Sequence, residues 1–261
     1  MTEFVTSADG SRIAYDRYGD GPPLILVNAA MQFRAFDPGT TALAQAVAAR
    51  GFTVVDYDRR GRGESEWADA TTLDGERADI AALIDAVGGT AALFGSSSGG
   101  SIALAAAASG LPVTHLALWE VPLGVEQGAD GAEFHAGLLE RIEAGDREGT
   151  QEYNMKDMPP EWLAGLKASP AWPVAVAMTP SLAADAESLA WAQSAPFADV
   201  FAGVRCPVLF LYGEQTLPIF PAAADAVVAA IPGARQSSIP GANHGYEQGA
   251  MVDALVEFLR T

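Results

Sequence analysis

Cysteine occurs once in the 261 residues, as Cys206. A lone cysteine excludes an internal disulfide and any cysteine-built zinc cage. Standing before Pro207 at a predicted strand start, it reads as a small buried hydrophobe. Basic residues are scarce as well: 15 Lys and Arg face 33 Asp and Glu, a formal net charge of −18. Without a basic stripe to neutralise phosphates, a nucleic-acid partner is excluded. The same sign disfavours anionic membrane surfaces. Long apolar runs are missing, each being short and broken by Gly or Pro, so no transmembrane helix is expected. Met1-Thr2-Glu3-Phe4 carries neither a basic n-region nor an apolar h-region, which makes a cytoplasmic location the expectation.

What is present is a core. Hydrophobic residues make up 49% and charged residues only 18%, a balance that excludes an acidic disordered tail. Apolar runs recur at Leu24 to Val27, Phe52 to Tyr57, Ala91 to Phe94, Leu116 to Trp119 and Val208 to Tyr212. They are continuous, not alternating, which suits parallel strands buried on both faces. Between them Ile80, Leu83, Ile84 and Val87 keep the spacing of one helix face, as do Met251, Leu255, Phe258 and Leu259. Strand alternating with helix predicts an α/β fold with a mostly parallel, doubly wound sheet. The alternation at Arg12-Ile13-Ala14-Tyr15, preceded by Asp9-Gly10, predicts an antiparallel entrance. The rhythm stops after Trp119-Glu120-Val121-Pro122, and from about Gly124 to Ala195 proline-divided helical patches hold three of the five tryptophans. The expected organisation is a core over 1–123, an inserted helical cap over 124–195 and a returning core over 196–261.

The segment Gly95-Ser96-Ser97-Ser98-Gly99 reads Gly-x-Ser-x-Gly between a predicted strand and a predicted helix. Ser97 must sit in a tight turn that lifts its hydroxyl above the sheet. Gly95 and Gly99 let strand and helix backbones approach. The helix start beside it offers N–H dipoles where an oxyanion would form. Ser97 is therefore the expected nucleophile.

With a late histidine, His244, this arrangement resembles the α/β-hydrolase fold superfamily over the whole chain: strand order, elbow, inserted cap and histidine. Asp58-Arg59-Arg60-Gly61-Arg62-Gly63-Glu64-Ser65 is similar to that superfamily's D-x-x-G-x-G-x-S loop. The likeness implies an architectural loop whose arginines are structural or solvated. His244, in Pro240-Gly241-Ala242-Asn243-His244-Gly245, stands where members carry the general base, and a Gly-flanked loop lets it reach a serine hydroxyl. His115 and His135 read as structural or exposed.

Many members place an Asp shortly after the strand corresponding to Val208–Tyr212, and here that position reads Thr216. Glu120, among apolar neighbours at a strand's carboxyl end, is the replacement acid, because a carboxylate there needs a partner such as a histidine N–H. Glu214 competes for the role, and a hinge contact competes for Glu120. Ser97, Glu120 and His244 together resemble the Ser-Glu-His subgroup that includes zearalenone lactonase. That resemblance implies a substrate contact from a cap tryptophan, here Trp172 in Ser169-Pro170-Ala171-Trp172. Where most members carry His-Gly-x, the chain reads Asn28-Ala29-Ala30-Met31. The hole needs only backbone N–H donors, so Ala30, or Met31 in its place, is expected to pair with Ser98.

The expected activity is hydrolysis of an ester or lactone through an acyl-enzyme on Ser97. Trp172, Met31 and Met155 are the expected contacts of an apolar small-molecule substrate, with no metal and no cofactor. Cofactor-free C–C hydrolysis or perhydrolysis on the same triad is the alternative among enzymes. A ligand receptor of the same fold is the alternative outside them. A homodimer is compatible with these readings.

Overall fold

Parallel strands buried on both faces position this site. In the computed structural model, which describes residues 1–66, 71–124 and 129–261, the chain opens with β1 (Glu3–Thr6) and β2 (Arg12–Tyr18). They pair antiparallel around the Asp9-Gly10 turn. Strand and helix then alternate through β3 (Pro23–Val27), α1 (Pro38–Ala48), β4 (Thr53–Tyr57), α2 (Leu73–Ala86), β5 (Ala91–Ser96), α3 (Ser98–Ala108) and β6 (Val113–Trp119). Among the described residues no further strand forms until β7 (Val208–Gln215). The intervening chain runs through α4 (Ala129–Glu143), α5 (Arg147–Asn154), α6 (Pro160–Lys167) and α7 (Trp172–Ala177). A 3-10 turn at Thr179–Ser181 leads into α8 (Leu182–Ala192) and α9 (Phe197–Val200). Helix α10 (Ile219–Ala230), β8 (Arg235–Ala242), β9 (Gly245–Tyr246) and α11 (Gln248–Leu259) complete it. The expected beginning of the helical stretch falls partly on 125–128, outside the described residues.

One sheet results, in the order β1-β2-β4-β3-β5-β6-β7-β8-β9. The six strands from β4 to β8 in that order are parallel, and the β1–β2, β2–β4 and β8–β9 pairings at the two sides are antiparallel. The pleat explains the continuous apolar runs. Ile25, Val27, Leu116 and Leu118 join the buried cluster under α2, α3 and α10. Their neighbours Leu24, Leu26, Ala117 and Trp119 join the one under α1 and α11. A strand covered on both sides has no polar face to show.

Local chemistry sets the helix starts. Asp37 accepts the Gly39 and Thr40 N–H groups ahead of α1, and Thr72 accepts the Gly75 N–H ahead of α2, relieving donors that lack an intrahelical acceptor. Helix α3 is different: its N-cap, Ser97, makes no side-chain capping bond. The hydroxyl is left for other chemistry.

The Ser97 elbow and the Glu120–His244 pair: a candidate active site

Four strand ends assemble the site. Ser97 follows β5, Glu120 follows β6, Gly213 lies near the end of β7, and His244 lies between β8 and β9. All are at the carboxyl ends of parallel strands, where open α/β sheets gather their functional groups.

Ser97 has φ 52° and ψ −130°, a conformation that side chains with a Cβ rarely adopt. The flanking glycines permit it. A Cβ on Gly95 would come within 2.5 Å of the Gly100 Cα, and one on Gly99 within 2.3 Å of the Val27 carbonyl oxygen. The Ser97 N–H donates to the Trp119 carbonyl at 2.8 Å. The elbow is thereby tied to the residue just before Glu120. Among the described residues the non-glycine positions with positive φ are Met31, Ser97, Glu120, Asn243 and His244. Every one belongs to this site or adjoins it, the clustering expected where strain is held by the surrounding fold.

Glu120 is buried, and its carboxylate is fully engaged. Oε2 accepts from His244 Nδ1 at 2.6 Å, and Oε1 accepts the Gly213 N–H at 2.9 Å. Burial alone would raise this carboxyl. The bonds from His244 and the Gly213 N–H, with the Thr216 side chain close by, hold it below the ordinary carboxylate range. An ionised Glu120 requires the proton on Nδ1, which leaves Nε2 as the imidazole's proton acceptor. Thr216, at the position where many hydrolases carry the acid, lies near the Glu120 carboxylate. Glu214 is exposed.

The imidazole is fixed from several sides. Trp119 Nε1 donates to the His244 carbonyl at 3.1 Å, and the indole meets Tyr246 edge-on at 5.3 Å. Phe220 stacks on the imidazole at 4.9 Å between centroids, and Trp162 lies roughly parallel to it at 6.4 Å. Trp162 is the tryptophan of the helical insertion that meets this pair. Trp172, the expected contact, lines a surface hollow of about 420 Å³ with Arg147 and Pro173, beneath the Lys167 ammonium. Trp162 sits in α6, and Trp172 opens α7. Among the three tryptophans there, the sequence motif pointed to Trp172, and nothing in it marked Trp162. Phe220, four residues beyond Thr216, carried no signal either.

The Ala30 N–H also departs from expectation. It donates to Ser98 Oγ at 3.1 Å and is already taken. Among the described residues the Met31 and Ser98 N–H groups have no protein acceptor. On this loop that leaves the Met31 N–H, the alternative the sequence offered, as the backbone donor without a protein acceptor. Met31 holds φ 63°, its sulfur accepts from Gln151 Nε2 at 2.8 Å, and it packs on Leu138, Leu182 and Ala186 of the insertion. Met155, one helical turn beyond Gln151, is buried at the end of α5.

Arg59, Arg60 and Arg62 are all buried, which selects the structural reading of their loop. Arg60 makes a two-bond pair with Asp79. Arg59 pairs with Glu76 and Asp185, and Arg62 with Asp185. Asp185, in α8, escaped sequence reasoning. The available signal was a lone carboxylate in Leu182-Ala183-Ala184-Asp185-Ala186, beside three arginines that needed counter-charges once buried.

With fold and geometry in view, the comparisons define the class. The Alpha/beta hydrolase family matches residues 24–258, and the chain belongs to that family. An alpha/beta hydrolase from Sphaerobacter thermophilus DSM 20745 is 35% identical at TM-score 0.86, with 98% of this chain and 100% of that one covered. The esterase EaEST from Exiguobacterium antarcticum is 19% identical at TM-score 0.73, covering 100% of both chains. The enol-lactonase from Burkholderia xenovorans LB400 is 19% identical at TM-score 0.67, covering 99% and 100%. No curated protein matches the chain. Among the described residues no helix is long and apolar enough to cross a membrane.

Proposed function

We propose that this protein is a serine hydrolase that cleaves an ester or lactone of an apolar small molecule. The observation that carries the reading is the 2.6 Å contact between ionised Glu120 and His244 Nδ1, beside a Ser-bearing elbow held at positive φ. In this reading His244 Nε2 takes the Ser97 proton as Oγ attacks the substrate carbonyl. The tetrahedral oxyanion is met by the Met31 and Ser98 N–H groups. Collapse expels the alcohol, which receives the proton from His244. Water, deprotonated by His244 in turn, adds to the acyl carbon and releases the acid and free Ser97. Glu120 keeps the imidazole in the required tautomer and stabilises its charged form. Residues 124–195 act as a cap whose Trp162, with Phe220 of the core, gives the site an apolar wall. The esterase and enol-lactonase among the structural neighbours support the ester and lactone chemistry. The Ser-Glu-His order supports placement in the corresponding subgroup.

The test is turnover of a panel of p-nitrophenyl esters and aliphatic lactones by wild type, Ser97→Ala, His244→Ala and Glu120→Gln. Losing any member of such a triad is expected to lower kcat by roughly 10²- to 10⁶-fold. A fluorophosphonate should add one mass increment, on Ser97. Full activity in Ser97→Ala sinks the mechanism. Tight binding of apolar ligands without turnover favours the receptor reading.

A further inference from the structure

A buried polar cluster joins the helical insertion to the loop that carries Met31. At its centre is Asp185 of α8. Its Oδ1 accepts from Ser98 Oγ at 2.6 Å and Arg59 Nη1 at 2.7 Å, and its Oδ2 from Arg62 Nη2 at 2.7 Å and Arg59 Nη2 at 3.2 Å. Glu76 supplies the second negative charge, against Arg59 at 2.8 Å. Two arginines face two carboxylates, and all four are buried. Burial by itself would raise the Asp185 carboxyl, yet Arg59 and Arg62 hold it below the ordinary range.

Arg62 Nε donates to Ser181 Oγ at 2.9 Å, and further hydrogen bonds of this cluster converge on the backbone around Met31. Arg59 Nη1 donates to the Asn28 carbonyl at 3.2 Å. Arg62 Nη1 donates to the Ala29 carbonyl at 2.7 Å and the Gln32 carbonyl at 3.4 Å. Ser98 Oγ, while donating to Asp185, accepts the Ala30 N–H. Backbone groups on both sides of Met31 are therefore gripped. Charge-assisted bonds in a water-poor interior are the strongest the protein can use for this. Ser98 has two attachments: its N–H stands at the start of α3, and its side chain holds the opposing loop.

We infer that Ser98 Oγ and Asp185 are positioning residues for the oxyanion hole. Through Arg59 and Arg62 they hold the 28–32 backbone so that the Met31 N–H converges with the Ser98 N–H. This inference rests on the serine-hydrolase reading for its catalytic consequence and on the structure alone for the hold on the loop. Because Asp185 belongs to the insertion, seating that insertion and shaping the hole are one event.

Asp185→Asn leaves two buried guanidiniums against one carboxylate, and such a variant is liable to misfold. Ser98→Ala is the discriminating variant. It keeps the charges balanced and the Ser98 N–H in place, and it removes only the hydroxyl. Expected is a fall in kcat of roughly 10- to 100-fold with KM within about threefold, less than the loss expected had an oxyanion donor itself been deleted. Affinity for an alkyl boronic acid, whose tetrahedral adduct needs the hole, should fall in parallel, while affinity for the product carboxylate holds. Hydrogen exchange over residues 28–34 should quicken by about tenfold or more. Unchanged kcat and boronic-acid affinity in a wild-type-like fold overturn the catalytic role. Unchanged exchange overturns the hold on the loop. If wild type itself neither turns over esters nor binds the boronic acid, the hydrolase reading fails, and the exchange measurement still decides the clamp.

Discussion

At the scale of single residues, the site depends on how few atoms hold His244. Its φ of 67° and that of Asn243, 53°, lie where side chains other than glycine are disfavoured, and such strain persists only when other contacts outweigh it. Trp119 supplies two of those contacts, the bond from Nε1 to the His244 carbonyl and the edge-on packing against Tyr246. Trp119→Phe keeps a ring in the core but deletes the donor. It is expected to cost about 1–2 kcal/mol of stability from the lost bond and the void. Relaxing the imidazole out of line should lower kcat about tenfold while KM changes little. Urea unfolding and steady-state kinetics on one preparation check both halves. The unusual placing of carboxylates around His244 is also legible at this scale. Sequence showed Thr216 where a carboxylate is usual and Glu120 where an apolar strand end should not carry one. Only the tertiary fold brings Glu120, Gly213, Thr216 and His244 together from three strand ends.

At the scale of elements, the passage from β5 into α3 carries the heaviest constraint. Helix α3 is buried along nearly its whole length and is built of Gly, Ser and Ala with Ile102 and Leu104. Small side chains let its start press against the end of β3. Gly99→Ala would set a Cβ 2.3 Å from the Val27 carbonyl oxygen and 2.5 Å from that of Asn28. Both are backbone atoms and have no rotamer to yield. The variant is expected to lose at least ~1–3 kcal/mol, the usual cost of overpacking, and to lose activity beyond that because the 28–32 loop must shift. Denaturant midpoints alongside kcat on a p-nitrophenyl ester measure this. An equal effect from Gly165→Ala, a position with open space around it, would contradict the steric account. Periodicity made the helices and strands of the core legible. It could not orient the insertion, because short proline-divided helices carry little repeat from which to read a face.

For the molecule as a whole, acidity matters less as a total than through the carboxylates that folding removes from water. Asp56, in the middle of the sheet, is fully buried, with the Thr41 hydroxyl and Asn28 amide as donors. Burial pushes its carboxyl up to about 6, against the partial relief of those bonds and of Arg34. The unfolded chain returns it to about 3.9. Between those values the native state holds a proton that the unfolded chain has lost. This group therefore favours folding below about pH 4, and the contribution is lost as pH rises through 6. Asp56→Asn should accordingly gain about 1–3 kcal/mol over wild type at pH 8 and little or nothing at pH 4. Urea titrations at the two pH values give the comparison, and a pH-independent difference would count against it. The sequence by itself determined the covered sheet, the Ser97 elbow and a carboxylate at an apolar strand end, because apolar continuity, glycine spacing and a misplaced charge are local signals. The tertiary structure decided which N–H is free, which tryptophan meets the imidazole and which charge closes the arginine cluster. Those depend on contacts such as Ser98 to Asp185, 87 residues apart, and no local pattern encodes which of 33 acidic side chains will be buried beside which arginine.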